Sequence, residues 1–369
     1  MFGNTYHGKR VLVTGHTGFK GAWLTTWLLQ LGAEVHGLAN GVPTEPSLYE
    51  VLGLANRIGQ HHEGDIRDLD FVKKTVAAVR PDFVFHLAAQ SIVKKSLENP
   101  LDTLTTNLLG HAHLLEALRL FGQPCALVMV TSDKCYENRE QAEGYTEADA
   151  LGGDDPYAAS KAAAEIVVRA WQRSFFSEKN SPVRIATARA GNVIGGGDWA
   201  EGRIVPDCIR AWSGGQPVHL RKPNATRPWQ HVLEPLSGYL RLGQMLAMGP
   251  QFSGEAFNFG PRAEESHTVL ELLEALAEAW PFEEGRKKYD LETAGHFHEA
   301  NLLALNCEKS AAQLGWRPIL RFEEAAALTG EWYASFYEGK NSVEATLRQL
   351  DFYKKTATQR GADWLLDEN

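Results

Sequence analysis

A chain of 369 residues is long enough for two lobes around a cleft. Its hydrophobic fraction of 44% and charged fraction of 22% are those of a globular protein and exclude a disordered one. A net charge of -9 argues against nucleic acid or an anionic membrane as partner, while leaving room for a local basic pocket that takes a phosphorylated small molecule.

In chain order, short β-branched or apolar runs at 10–14, 34–38, 57–63, 83–87 and 126–131 alternate with helical patterns such as 18–31 and 71–79. That alternation is the signature of βαβ units and predicts an α/β fold, a Rossmann-type doubly wound parallel sheet. A strong helix follows over 155–176 and another strand over 183–190. Residues 191–230 are rich in Gly, Pro, Trp and Arg and read as loops with short elements. A helix at 233–248 and a strand at 256–259 return to the sheet, so the sheet domain covers 1–190 with returns near 230–260. Residues 191–230 and 261–355, with helices at 269–279 and 322–337, form a smaller, mixed substrate-binding lobe. Residues 356–369 read as a loosely held tail. No run of about 18 apolar residues and no signal-peptide pattern occurs, so the expected location is the cytoplasm.

The four cysteines (Cys125, Cys135, Cys208, Cys307) lack C-x-x-C or matching His spacing, so neither a disulfide framework nor a zinc site is expected. His61-His62, His111/His113 and His296/His298 read as surface or hydrogen-bonded histidines, and no metal is expected.

The first strand runs into Gly15-His16-Thr17-Gly18-Phe19-Lys20-Gly21. Gly15 permits the sharp turn, Gly18 the approach of a pyrophosphate, and Gly21 close packing of helix on strand. Thr17, Phe19 and Lys20 share that turn. A P-loop needs four residues between its glycines followed by Lys-Ser/Thr, which this turn lacks. The acidic residue that ends the second strand in many dinucleotide folds is missing: the run closes on Asn40, with no following Arg or Lys for a 2′-phosphate, which favours NAD over NADP. Asp65 and Ile66, then Ala88, Ala89 and Gln90, follow the third and fourth strands and are candidates to line the cofactor; a turn-capping role for Asp65 stays open.

Tyr157 and Lys161 stand four residues apart, on one helical face. An ammonium beside a phenol favours phenolate, so the Tyr157 pKa is expected to fall and make it a base. Ser132, Asp133 and Lys134 end the fifth strand, on the sheet edge where parallel sheets bind ligands. Ser132 can bond a substrate hydroxyl, and Asp133 with Lys134 offers an acid/base pair.

These residues resemble the extended short-chain dehydrogenase/reductase family along nearly the whole chain. The strings 131–136 (TSDKCY), 192–199 (NVIGGGDW) and 227–232 (RPWQHV) resemble, within it, the 4,6-dehydratases that act on CDP-glucose. Related dTDP-glucose enzymes usually carry Asp-Glu where this chain has Asp133-Lys134. The resemblance implies bound NAD and conversion of CDP-glucose to CDP-4-keto-6-deoxyglucose with loss of water, as in deoxysugar routes. It gives Tyr157 the C4 hydroxyl proton, Lys161 the nicotinamide ribose, Ser132 the hydroxyl's orientation, Asp133 the departing C6 hydroxyl and Lys134 the C5 proton. Lysine titrates near 10.4, so Lys134 must lose its proton to serve as base. Arg227, with Asn192 and Arg203, is the candidate to hold the substrate phosphates. Relatives imply a homodimer or homotetramer seamed by the helices around 111–120 and 157–171. Two alternatives remain: another enzyme of the family (dTDP-glucose or GDP-mannose dehydratase, or C4 epimerase), and a non-catalytic dinucleotide-sensing module.

Overall fold

The computed structural model describes residues 1–141, 143–178, 181–220, 222–262, 265–291 and 303–365. Seven strands, β1 (Arg10–Thr14), β2 (Glu34–Ala39), β3 (Gln60–Glu63), β4 (Phe83–His86), β5 (Cys125–Val130), β6 (Val183–Arg189) and β7 (Ala256–Asn258), form one sheet. Their order is β7-β6-β5-β4-β1-β2-β3 and every pairing is parallel. The central strands are buried on both faces, which is why they read as apolar runs rather than alternating ones. Val11, Val13, Phe83, Phe85 and Val128 enter one core; Leu12, Val84, Leu127 and Met129 enter the other.

Helix α1 (Phe19–Gln30) lies on the first face. The second is covered by α2 (Leu69–Val79), α3 (Gly110–Phe121) and α4 (Pro156–Phe175). Asp155 starts α4 by accepting the Ala158 N–H at 2.9 Å, and Pro156 at the first position needs no partner for the N–H it lacks. The chain order reverses between β4 and β1, so the crevice for a ligand opens at their carboxyl ends, beside the end of β5.

Beyond β6 the chain adds α5 (Ile204–Ser213), α6 (Leu233–Met248), α7 (Val269–Glu278), α8 (Phe322–Tyr337) and α9 (Ser342–Gln359), of which α6 packs back on β5 and β6. Pairs of two- or three-residue strands link 193–194 with 230–231, 218–220 with 289–291, and 226–227 with 267–268.

Three sequence expectations need correction. The third strand begins at Gln60 rather than 57, because 54–56 form a helical turn that buries Leu54. The loop-like 191–230 segment contains the ten-residue α5, whose Pro206 falls in the first turn, where proline is tolerated. Residues 356–365 are not loose. They finish α9 and bury Trp364 and Leu365, with the Trp364 ring 5.8 Å from that of Phe2. Among the described residues no helix is long and apolar enough to cross a membrane.

Glu234 of α6 ties the lobes' shared core together. One carboxyl oxygen accepts the N–H groups of Ile319 (3.0 Å) and Leu320 (2.5 Å), and the other accepts the Tyr353 hydroxyl at 2.9 Å. Burial pushes this carboxyl up to about 7, against those hydrogen bonds. The folded chain therefore keeps a proton that the unfolded chain releases near 4.5. Its contribution to stability is full below that value and is lost as pH rises to about 7, a loss of about 3 kcal/mol. Glu234→Gln removes the titration, so its melting temperature should change less than the parent's between pH 5 and 7.5. Thermal melts of both proteins test this, and equal pH slopes would refute it.

Candidate active site

Gly15 sits in the left-handed region at φ +72°. A Cβ there would stand 2.8 Å from the Ala88 nitrogen, and one on Gly21 would stand 2.1 Å from the Gly15 carbonyl. Only glycines let β1, β4 and α1 approach so closely. Gly18 precedes α1 with no side chain capping the first-turn amides and no acidic residue in that turn. A Cβ on Gly18 would meet nothing nearer than the Gly15 carbonyl at 3.4 Å. Open space before an uncapped, electropositive helix end fits a dinucleotide pyrophosphate.

Around the turn, Thr17 donates its hydroxyl to the Gly41 carbonyl at 2.8 Å, tying the turn to the end of β2. Phe19 packs partly buried near Gly195. The His16 imidazole runs under β2, where it occupies the space beside Gly37 and bonds His61 at 2.9 Å. Lys20 is partly exposed, yet desolvation, then Arg203 and Lys161, push its ammonium down to about 7. Its Nζ lies 3.3 Å from the Tyr239 hydroxyl.

Candidates farther along the cleft are more committed than the sequence suggested. Asp65 is held by Arg67 and accepts the exposed Asn40 amide at 3.1 Å. This is the turn-capping alternative, and Arg67 keeps the carboxyl below its usual range. Ile66 is buried in the second core against Gly110. Ala88 and Ala89 are half-buried beyond β4. The Gln90 side chain is engaged with Thr103 and the backbone of Ile92.

The catalytic candidates do come together. Past β5, Ser132 caps a single helical turn (Asp133–Cys135) by accepting the Lys134 N–H at 3.2 Å. The Ser132 hydroxyl donates to Asp133 Oδ1 at 2.9 Å and faces the helix that carries Tyr157. The other Asp133 oxygen accepts the Asn192 amide at 3.3 Å. That oxygen lies where a Cβ on Gly191 would be only 1.9 Å away, so glycine at 191 is what admits the carboxyl. Asn192 itself takes a left-handed φ of 52°, a conformation unusual outside glycine. Lys134 is half-buried at the rim. Lys161 lies one turn after Tyr157, with Nζ 6.0 Å from the Tyr157 ring centroid.

The expected fall in the Tyr157 pKa does not occur in the free protein. Burial pushes the phenol up to about 12, opposed by the Ser132 hydroxyl. Burial also pushes Lys161 down to about 8, which weakens the cation meant to stabilise a phenolate.

Arg203 is brought beside this group. It pairs with Asp198 at 2.7 Å and Ser91 at 3.0 Å, and its charge acts on Tyr157 and Lys20. Arg227 lies on the short 226–227 strand, where its guanidinium bonds the Thr226 carbonyl.

Two supporting groups escaped sequence reasoning. Glu165 is the next step of four along the face of Tyr157 and Lys161, a signal that was available; its carboxylate is buried in an ion pair with Arg189 (2.8 Å) and accepts Thr131 and Thr187. Asn107 lies in a π-helical turn (Thr105–Leu109) and carried no local signal. It bonds the Gln90 backbone twice and donates to Ser160 at 2.9 Å. Among the described residues no group of three or more His, Cys, Asp or Glu could hold a metal; His296 and His298 lie outside them.

A Gly-x-x-Gly-x-x-Gly turn opening a seven-stranded parallel sheet, with Ser, Tyr and Lys at its carboxyl edge, defines an extended short-chain dehydrogenase/reductase. The family model for GDP-mannose 4,6-dehydratase matches residues 12–329, and the chain belongs to that family. It is 44% identical over 360 residues to the CDP-glucose 4,6-dehydratase of Salmonella typhimurium, covering 96% of this chain and 99% of that one. Among solved structures it resembles the dTDP-glucose 4,6-dehydratase of Streptomyces venezuelae, solved with NAD (TM-score 0.74, 25% identity, 90% and 99% of the chains). It also resembles the UDP-glucose 4-epimerase of Thermus thermophilus, likewise solved with NAD (TM-score 0.70, 29% identity, 88% and 98%).

Proposed function

We propose that this chain binds NAD and converts CDP-glucose to CDP-4-keto-6-deoxyglucose and water. One observation carries the reading: the Asp133 carboxyl, held by the Ser132 hydroxyl at 2.9 Å, stands close enough to Tyr157 for its charge to act on the phenol, so an acid and a base stand together at the end of β5. A C4 epimerase needs no acid at C6. The 44% identity to a CDP-glucose 4,6-dehydratase supports the choice of base.

The Gly15–Gly21 turn would hold the dinucleotide's pyrophosphate and Lys161 its nicotinamide ribose. Bound there, NAD would supply a hydride acceptor for C4 and a hydride donor for C6, with no net redox change. Tyr157 accepts the C4 hydroxyl proton while Ser132 orients that hydroxyl. Lys134, in its neutral form, takes the C5 proton made acidic by the C4 ketone and later returns it. Asp133, as the acid, protonates the C6 hydroxyl as it leaves. Arg203, Arg227 and Asn192, in the smaller lobe, hold the substrate's diphosphate and sugar. Exposed apolar side chains near α3 and α4, among them Leu97, Leu101, Leu109 and Ile166, suit a seam between copies in a homodimer or homotetramer. We place the reaction in the cytoplasm.

The test incubates the protein and NAD with CDP-glucose, dTDP-glucose, GDP-mannose or UDP-glucose in separate reactions, each followed by NMR. A 4-keto-6-deoxy product preferentially from CDP-glucose is expected. UDP-galactose from UDP-glucose would indicate an epimerase, and no conversion of any sugar a binding module.

A further inference from the structure

The proposed chemistry asks one oxygen of Asp133 to deliver a proton to the C6 hydroxyl, and the hydrogen bonds select which. Oδ1 already receives two hydrogens, from the Ser132 hydroxyl and the Lys134 N–H, each at 2.9 Å. A carboxyl oxygen has two lone pairs, so those bonds fill Oδ1 and leave the acid's proton to Oδ2. Oδ2 meets the Asn192 amide at a looser 3.3 Å and occupies the space beside Gly191, where a Cβ would be 1.9 Å away. The position of the Gly191–Asn192 corner therefore sets where the proton is offered. Asn192 is left-handed at φ 52°, a conformation that persists only where its surroundings hold it.

We propose that Gln230 is a positioning residue for the acid step, its buried amide clamping the Gly191–Asn192 corner against which Asp133 is aimed. The side chain is 2% exposed, and its Nε2 donates to the Gly191 carbonyl at 3.0 Å and to the Phe259 carbonyl at 2.9 Å. Its backbone N–H donates to the Asn192 carbonyl at 3.2 Å, so one residue grips both carbonyls of the corner. Phe259 in turn donates its N–H to the Arg189 carbonyl at 2.8 Å, which ties the clamp to the carboxyl ends of β6 and β7. The amide's orientation is fixed by these partners, because turned over its oxygen would face two carbonyl oxygens. In that orientation Oε1 is buried with no hydrogen-bond partner among the described residues. An apolar residue serving packing alone would avoid the unmet acceptor; what the amide supplies against that cost is two N–H groups at the acid's corner. Gln230 makes none of its hydrogen bonds to Tyr157, Ser132 or Lys161, so its loss falls on elimination and not on the first hydride transfer.

This role rests on the proposed function, and the experiment keeps the two apart. The NAD-loaded protein is mixed with CDP-glucose; absorbance follows the reduced cofactor and rapid quench follows the product. Gln230→Met keeps the bulk of the side chain and removes the amide. It should reduce the cofactor within about threefold of the parent's rate, while product formation falls by about 100-fold, the scale of a positioned general acid. A second sugar nucleotide, CDP-6-deoxy-6-fluoroglucose, gives the readout specific to the acid. Fluoride leaves without a proton, so on this sugar the variant should form product within about threefold of the parent's rate. Gly191→Ala leaves Gln230 in place but puts a Cβ where Oδ2 lies, and it should show the same pattern; it carries the test if Gln230→Met does not fold. Equal slowing on both sugars, equal slowing of cofactor reduction and product formation, or product formation at the parent's rate on CDP-glucose would each overturn the positioning role. If the unaltered protein makes no 4-keto product from CDP-glucose, the proposed function fails and the positioning role falls with it.

Discussion

Tyr157→Phe should lower turnover of CDP-glucose by about 10³-fold, or about 4 kcal/mol of barrier, and no reduced nicotinamide should appear on mixing. The ring occupies a buried pocket, and a phenylalanine fills it, so folding should be retained. What disappears is the phenol oxygen, the acceptor for the C4 hydroxyl proton. Lys161 cannot substitute from across the ring, since its Nζ is 6.0 Å from the ring centroid. Stopped-flow absorbance of the bound cofactor checks the first step separately from product formation. Full activity in this variant would refute the assignment of Tyr157 as base.

Lys134→Ala should separate the steps differently. The Tyr157, Ser132 and Lys161 group is intact in this variant, so the cofactor is still reduced on mixing. Elimination then stalls, and product formation falls by about 10²- to 10⁴-fold, the usual worth of a positioned general base. In deuterated water the parent should place deuterium at C5, and the variant should not. The backbone N–H of residue 134 still bonds Ser132 and Asp133, so the turn that aims the acid survives the side chain's removal. A variant that eliminates water at the parent's rate shows that another group takes the C5 proton.

Much of this molecule is written locally in its sequence. The central strands are continuous apolar runs because helices cover both their faces, and the glycine turn is recognisable because backbone crowding excludes any other residue at Gly15 and Gly21. Tyr157 and Lys161 announce themselves through helical spacing. The harder properties are set by neighbours distant in sequence. The state of the Tyr157 phenol is decided by burial, which no local pattern reports, and so the expected fall became a rise. The aim of Asp133 depends on Gly191 and Asn192, more than fifty residues on. Arg203 was expected on the substrate phosphates, but its reach to Tyr157 and Lys20 is set by the fold and not by local sequence. At the carboxyl end, terminal position suggested a loose tail over 356–369, but Trp364 and Leu365 are buried there.

The π-helical turn at Thr105–Leu109 bears on how the family's chains can vary in length. Such a turn is a helix carrying one residue more than its hydrogen-bond pattern requires. Deleting that residue would restore regular winding and rotate everything on one side of it by about 100°. Asn107 would then swing away from both Gln90 and Ser160, which it now joins. The loop after β4 and the helix bearing Tyr157 would lose their common anchor, although neither had changed in sequence. A length change within Pro100–Leu104, the helix that runs directly into this turn, would shift the phase of Asn107 in the same way, whereas the break at Asn99 isolates the segment before it.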